Sequence, residues 1–125
     1  MQTKHTKTEQ KEIFDQESQA ALHLEDLPKA VLYIDLFWQK QVIQGSFAGV
    51  GEVPLHYAYV VPANAKATIV ILNGRTESVL KYQEMYFELT KQGYAVFSYD
   101  HRGQGLSGRL NADPQLGHVE DFQHY

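Results

Sequence analysis

Residues 99–110, YDHRGQGLSGRL, hold the densest run of positions that could do chemistry. Gly103, Gly105 and Gly108 spell G-x-G-x-x-G, the spacing with which a turn cradles a pyrophosphate. An apolar run, YAVFSYD, precedes them. A dinucleotide site, however, needs its first glycine directly after the first strand of a βαβ unit, and the motif must open a helix whose N-terminus faces the phosphates. Here Asp100, His101 and Arg102 stand between strand and glycines, and RLNADPQLG follows, with Asn, Pro and Gly inside nine residues. A helix does not run through that segment, so the nucleotide reading fails. The glycines instead read as backbone devices that let the chain turn sharply at a sheet edge. Asp100 is placed to accept hydrogen bonds from the N–H groups of that turn, and Arg102 to brace it from beneath.

Other chemistries find less support. His56, His101, His118 and His124 lie in unrelated local contexts, and no pair has the i, i+4 spacing around a glutamate that a zinc helix uses. Each reads as a loop or core histidine. With no cysteine, disulfides and thiolate metal sites are excluded. Neither a metal nor a cofactor is expected.

The elements that position the glycine-rich turn are legible from pattern. ATIVIL, residues 67–72, is apolar or β-branched without alternation, as in a strand buried on both faces of a parallel sheet. NGRTE is a loop. SVLKYQEMYFELTKQG carries Val79, Tyr82, Met85, Tyr86 and Leu89 on one helical stripe, with Ser78 or Thr76 to cap its start and Gly93 to end it. YAVFSYD is a second buried strand. Residues 67–100 thus predict strand, helix, strand in a right-handed unit. Upstream, QGSFAGV and VPLHYAYVV predict a hairpin turning at Gly51–Glu52. VLYIDLFW, residues 31–38, predicts a helical turn packed on the domain, with a strand as the alternative; Phe37 and Trp38 suit core packing better than a membrane surface. The pattern over residues 9–24 predicts a moderately amphipathic helix punctuated by Pro28, and residues 1–8 are expected to be a disordered tail.

Composition bounds the class. The 125 residues can build one compact domain, and 43% hydrophobic with 21% charged residues is ordinary for a globular chain. Net charge is −4 and the 11 basic residues are scattered, which disfavours a nucleic-acid partner. The polar start MQTKHTKTEQK lacks the apolar core of a secretory signal, and no stretch approaches the roughly 20 apolar residues of a spanning helix. A cytoplasmic location is expected.

VILNGRTES before a helix, then YDHRGQGLSGR, resembles the α/β-hydrolase family, whose usual pattern is strand, His-Gly-x-Gly-Glu, helix, strand, Asp-x-Arg-Gly-x-Gly-x-Ser-x-Gly. NGRTESVLKYQEMYFEL, DHRGQGLSGRL, ADPQLGHVEDFQHY and the lead FWQK narrow the likeness to the lysophospholipase and monoacylglycerol-lipase branch. The resemblance implies an α/β fold: the N-terminal half of an α/β-hydrolase, with a helical lead over residues 1–40 and the start of the hydrolase domain over residues 41–125. It implies carboxylic-ester hydrolysis of a lysophospholipid or monoacylglycerol, with peripheral contact at the inner membrane surface. In the family the serine nucleophile sits in G-x-S-x-G. Ser46, in G-S-F-A-G, and Ser107, in G-L-S-G, lack that spacing. The family's nucleophile, acid and histidine base all follow the GHVEDFQHY segment, so the expectation is that none lies in this chain. The family site that remains is one half of the oxyanion hole, which falls on the backbone N–H of Arg75, with Gly74 allowing close approach and Asn73 where the family has His. Glu77 reads only as a favourable charge at a helix start. The family's strand order of one, two, four, three, five leaves Ala67–Leu72 as an open edge when strand five is absent, and self-association is expected there. The alternative function is a non-catalytic domain completed by a partner chain.

Overall fold

A computed structural model describes residues 27–125; the predicted tail and the helix over residues 9–24 lie outside them. Four strands form one sheet, flanked by two helices. Helix α1 is Leu27–Gln41. The hairpin strands are β1, Ile43–Ala48, and β2, Pro54–Val60. Then come β3, Thr68–Leu72, helix α2, Gln83–Lys91, and β4, Ala95–Tyr99. The sheet order is β1-β2-β4-β3. β1 and β2 are antiparallel, as are β2 and β4, while β3 runs parallel to β4 with Thr68 opposite Ala95 and Leu72 opposite Tyr99. The hairpin turns where Gly51 and Glu52 both adopt positive φ.

Helix α1 differs from the expectation of a single turn over 31–38. Pro28 does not break it, because proline is tolerated in a first turn whose N–H groups have no intrahelical acceptor. Ala30, Tyr33, Ile34, Phe37 and Trp38 then fall at helical spacing on one face, and all belong to the buried core or line it. Phe37 meets Phe87 edge-on with ring centres 5.5 Å apart, and Trp38 meets Tyr86 at 5.2 Å. Each such aromatic pair adds about 0.5–1.5 kcal/mol beyond the area it buries.

Helix α2 is entered through a 3-10 turn, Val79–Tyr82, whose start is capped by the Ser78 hydroxyl accepting from the Leu80 N–H at 3.3 Å. Thr76 is not the cap; it sits in the turn before, with φ 66°. Gly93, at φ 87°, ends the helix. The stripe also changes. Met85 is exposed, and Phe87, which the pattern omitted, is buried because α1 packs on that side.

The two sheet faces differ. Ala58, Val60 and Val96 point into the core beneath α1 and α2. The opposite face is a run of rings: Tyr57 stacks near Tyr59 and Phe97, and Phe47 touches Tyr57 and Tyr99. Strand β3 corrects the expectation of burial on both faces. Val70 is 55% and Leu72 68% exposed. β3 ends the sheet among the described residues, so only Ile69 and Ile71, on the helix side, are partly covered.

Candidate functional site

The carboxyl ends of the parallel pair β3 and β4 lie side by side, where α/β sheets place their sites. β3 delivers Asn73 there and β4 delivers Asp100. Asp100 is fully buried and accepts from five donors. Its Oδ1 takes the Asn73 Nδ2–H at 3.1 Å and the Val79 N–H at 2.7 Å. Its Oδ2 faces His56 Nδ1 at 3.0 Å, the Leu106 N–H at 3.0 Å and the Ser78 hydroxyl at 3.4 Å. A buried carboxylate persists only when its lone pairs are satisfied, and here they are. Asn73 completes the set by accepting from the Ser98 hydroxyl at 3.0 Å.

The glycine-rich turn closes around this carboxylate. Gly105 has φ 49°, and a Cβ there would stand 2.2 Å from Asp100 Oδ2. Position 105 therefore requires glycine for both conformation and space. Arg102, buried, reaches out of the turn to the Val50 carbonyl at 3.0 Å. The Gly103 N–H donates to the Gly108 carbonyl at 2.9 Å, and the Gly108 N–H donates to the Pro54 carbonyl at 2.7 Å. Arg109 was not singled out from the sequence, yet its guanidinium donates to the carbonyls of Gln104, Gly105 and Ser107. The segment after Gly108 forms bends, and the next helical turn is the short 3-10 piece Phe122–His124.

Ser107, His56 and Asp100 are neighbours, the residue types of a nucleophilic triad. Their wiring is wrong for it. A triad needs the imidazole within reach of the hydroxyl. The Ser107 hydroxyl instead accepts from the backbone N–H of His56 at 2.8 Å and donates to the backbone carbonyl of Asp100 at 2.6 Å. The second ring nitrogen of His56 faces Gln44 Oε1 at 3.0 Å. These are three structural residues holding β2 to the turn.

Gly74 to Glu77 form a tight turn on the exposed rim of the site, closed by the Glu77 N–H donating to the Gly74 carbonyl at 3.2 Å. Arg75 is exposed there, outside any helix, and its N–H has no acceptor among the described residues. Gly74 leaves room on this rim: a Cβ would meet Glu77 Oε2 at 3.0 Å. Glu77 does more than sit at a helix start. Its carboxylate takes the Gly74 N–H at 2.8 Å and also binds Lys81 Nζ and the Tyr82 hydroxyl. Lys81, then Tyr82, then the Gly74 N–H hold its pKa at about 2, below the usual carboxylate range. Behind the turn, the buried Gln104 donates from Nε2 to the carbonyls of Gly74, at 3.0 Å, and Glu77, at 3.2 Å.

A family model described as Serine aminopeptidase, S33 matches residues 63–125. Lysophospholipase L2 of Escherichia coli (strain K12) is 43% identical over 89 residues, 71% of this chain and 26% of that protein. The probable lysophospholipase L2 of Haemophilus influenzae is 40% identical over 62% of this chain and 25% of its own length. A monoacylglycerol lipase of Mycolicibacterium smegmatis is 33% identical, covering 62% and 29%. The chain spans about a quarter of the length of these curated relatives. The matched segment runs from the end of the hairpin through β3, α2, β4 and the glycine-rich turn, in the sheet order expected of the fold. The chain therefore belongs to the serine aminopeptidase S33 family of α/β-hydrolases, on its lysophospholipase-like side.

Proposed function

We propose that these residues supply the fixed half of the oxyanion hole of a serine ester hydrolase acting on a lysophospholipid or monoacylglycerol. Ester cleavage passes through a tetrahedral intermediate with a negative oxygen. Preorganised N–H donors lower its energy, and losing one slows the reaction about 10²–10³-fold. The observation that carries the reading is the exposed turn at the end of β3, where the Arg75 N–H has no acceptor among the described residues while the Gly74 and Glu77 N–H groups at the two ends of the turn are engaged. Gly74 lets the reacting ester approach that N–H. The names of the relatives support a lipid ester as substrate. A nucleophile, its base and the acid that orients the base act as a unit, and G-x-S-x-G does not occur in these 125 residues. The chain alone is accordingly inactive.

An active-site-directed fluorophosphonate tests this. It should label the product of the complete gene at one serine and leave the 125-residue chain unlabelled. Labelling of neither would overturn the hydrolase reading in favour of a non-catalytic domain, which the open edge of β3 also suits. Hydrolysis of lysophosphatidylcholine that scales with the purified 125-residue chain would overturn the assignment of the nucleophile elsewhere.

A further inference from the structure

We infer that Gln104 is a positioning residue for the oxyanion turn, its side-chain amide clamping both ends of the segment Gly74–Glu77. The proposal rests on the oxyanion reading of Arg75 and adds what fixes that N–H in direction. Gly103 and Gly105, with φ 76° and 49°, flank Gln104 and set its backbone in the glycine-rich turn. Its side chain crosses to the loop after β3. There Nε2 lies 3.0 Å from the Gly74 carbonyl and 3.2 Å from the Glu77 carbonyl. Only an NH₂ group has two protons for two carbonyls, so the amide orientation is settled by its partners. Gln104 is 8% exposed, so water does not compete freely for those carbonyls.

The clamp works with a second tie. The Glu77 carboxylate holds the Gly74 N–H, and the Glu77 N–H holds the Gly74 carbonyl. Thr76 is kept at φ 66°, a conformation disfavoured for a β-branched residue and sustained only when the surroundings impose it. With the Gly74 and Glu77 carbonyls and the Gly74 and Glu77 N–H groups engaged, the clamp fixes both ends of the turn and leaves the N–H groups at its tip, Arg75 among them, without a partner among the described residues. The G-x-G spacing thus serves to deliver a glutamine amide to another loop, which neither glycine could do alone.

NMR on the 125-residue chain tests this without any assay of hydrolysis, so its outcome is separate from that of the fluorophosphonate experiment. In Gln104→Met, which keeps the bulk and removes the donors to the Gly74 and Glu77 carbonyls, the turn should open more often. The Glu77 amide, which is bonded to the Gly74 carbonyl, should exchange about tenfold faster, the effect of losing one or two hydrogen bonds that hold the turn closed. The Arg75 amide resonance should move, with Val96 and Ser98 in β4 unchanged. Gln104→Glu, which sets a carboxylate against two carbonyls, should shift it further. In the unaltered chain the Gln104 side-chain protons should exchange slowly and show scalar coupling to the Gly74 and Glu77 carbonyl carbons. Loop amides unmoved in a folded Gln104→Met chain would overturn the proposal. Should that variant fail to fold, the unaltered chain decides: free-glutamine exchange rates at Gln104 would overturn it equally.

Discussion

Replacing Asp100 by Asn keeps the shape at the centre of the site and removes its charge. Asp100 offers acceptors on both sides, Oδ1 to Asn73 and Val79, Oδ2 to His56, Leu106 and Ser78. Asn has one acceptor oxygen and one NH₂. With the oxygen toward Val79 N–H, the NH₂ faces His56 Nδ1, which can accept as the other tautomer, and Leu106 N–H, which cannot. The part-buried Leu106 N–H is orphaned, at about 1 kcal/mol, and the remaining bonds fall from the roughly 1.5–3 kcal/mol of an ionised partner toward the 0.5–1.5 kcal/mol of a neutral one. A loss of about 3 kcal/mol follows, a large part of a stability of about 5–15 kcal/mol. Urea denaturation read by the single tryptophan, Trp38, which is 6% exposed, measures it. Val70→Lys in the background keeps the open edge of β3 from pairing. A loss below about 1 kcal/mol at unchanged m-value would refute the hub role of Asp100.

Other perturbations separate the parts. Gly105→Ala should destabilise more than Gly103→Ala, since the first Cβ meets Asp100 Oδ2 at 2.2 Å and the second meets Gly117 at 3.3 Å; equal losses in thermal melts would contradict this. Glu77 has its pKa lowered from 4.5 to about 2 in the folded chain. A depressed pKa contributes stability above pH 4.5 that is lost as pH falls toward 2. The advantage of the unaltered chain over Glu77→Gln should therefore shrink across that window, and a difference constant with pH would argue against the carboxylate's role. Sedimentation should show self-association of the unaltered chain reduced by Val70→Lys, because β3 presents an apolar, unpaired edge among the described residues. A monomer in both cases would remove the edge as the cause.

Much of the fold was legible because it rests on local pattern. Unbroken apolar runs marked β3 and β4, and Gly51–Glu52 marked the hairpin turn. α1 was misread because Pro28 looks like a break in sequence, while in space it occupies a first turn. The exposure of Val70 and Leu72 was not legible in the apolar run itself, only in the family's strand order: a run reports what a strand is suited to, and coverage depends on which elements pack on it. At the site, the glycines and Asp100 stood out by spacing. Their partners did not. His56 lies 44 residues from Asp100, and Asn73 27 residues away, so their pairing is a product of the sheet register. Gln104 and Arg109 act on backbone carbonyls, which every residue carries and no motif records.

A crystal structure of the complete gene product after phosphonylation tests the central claim most directly, since the phosphonyl oxygen occupies the place of the oxyanion. The oxygen should lie about 2.7–3.1 Å from the Arg75 backbone nitrogen, the distance of an oxyanion-hole bond. An oxygen held wholly by other donors, with the Arg75 N–H turned away or bonded within the protein, would contradict the account.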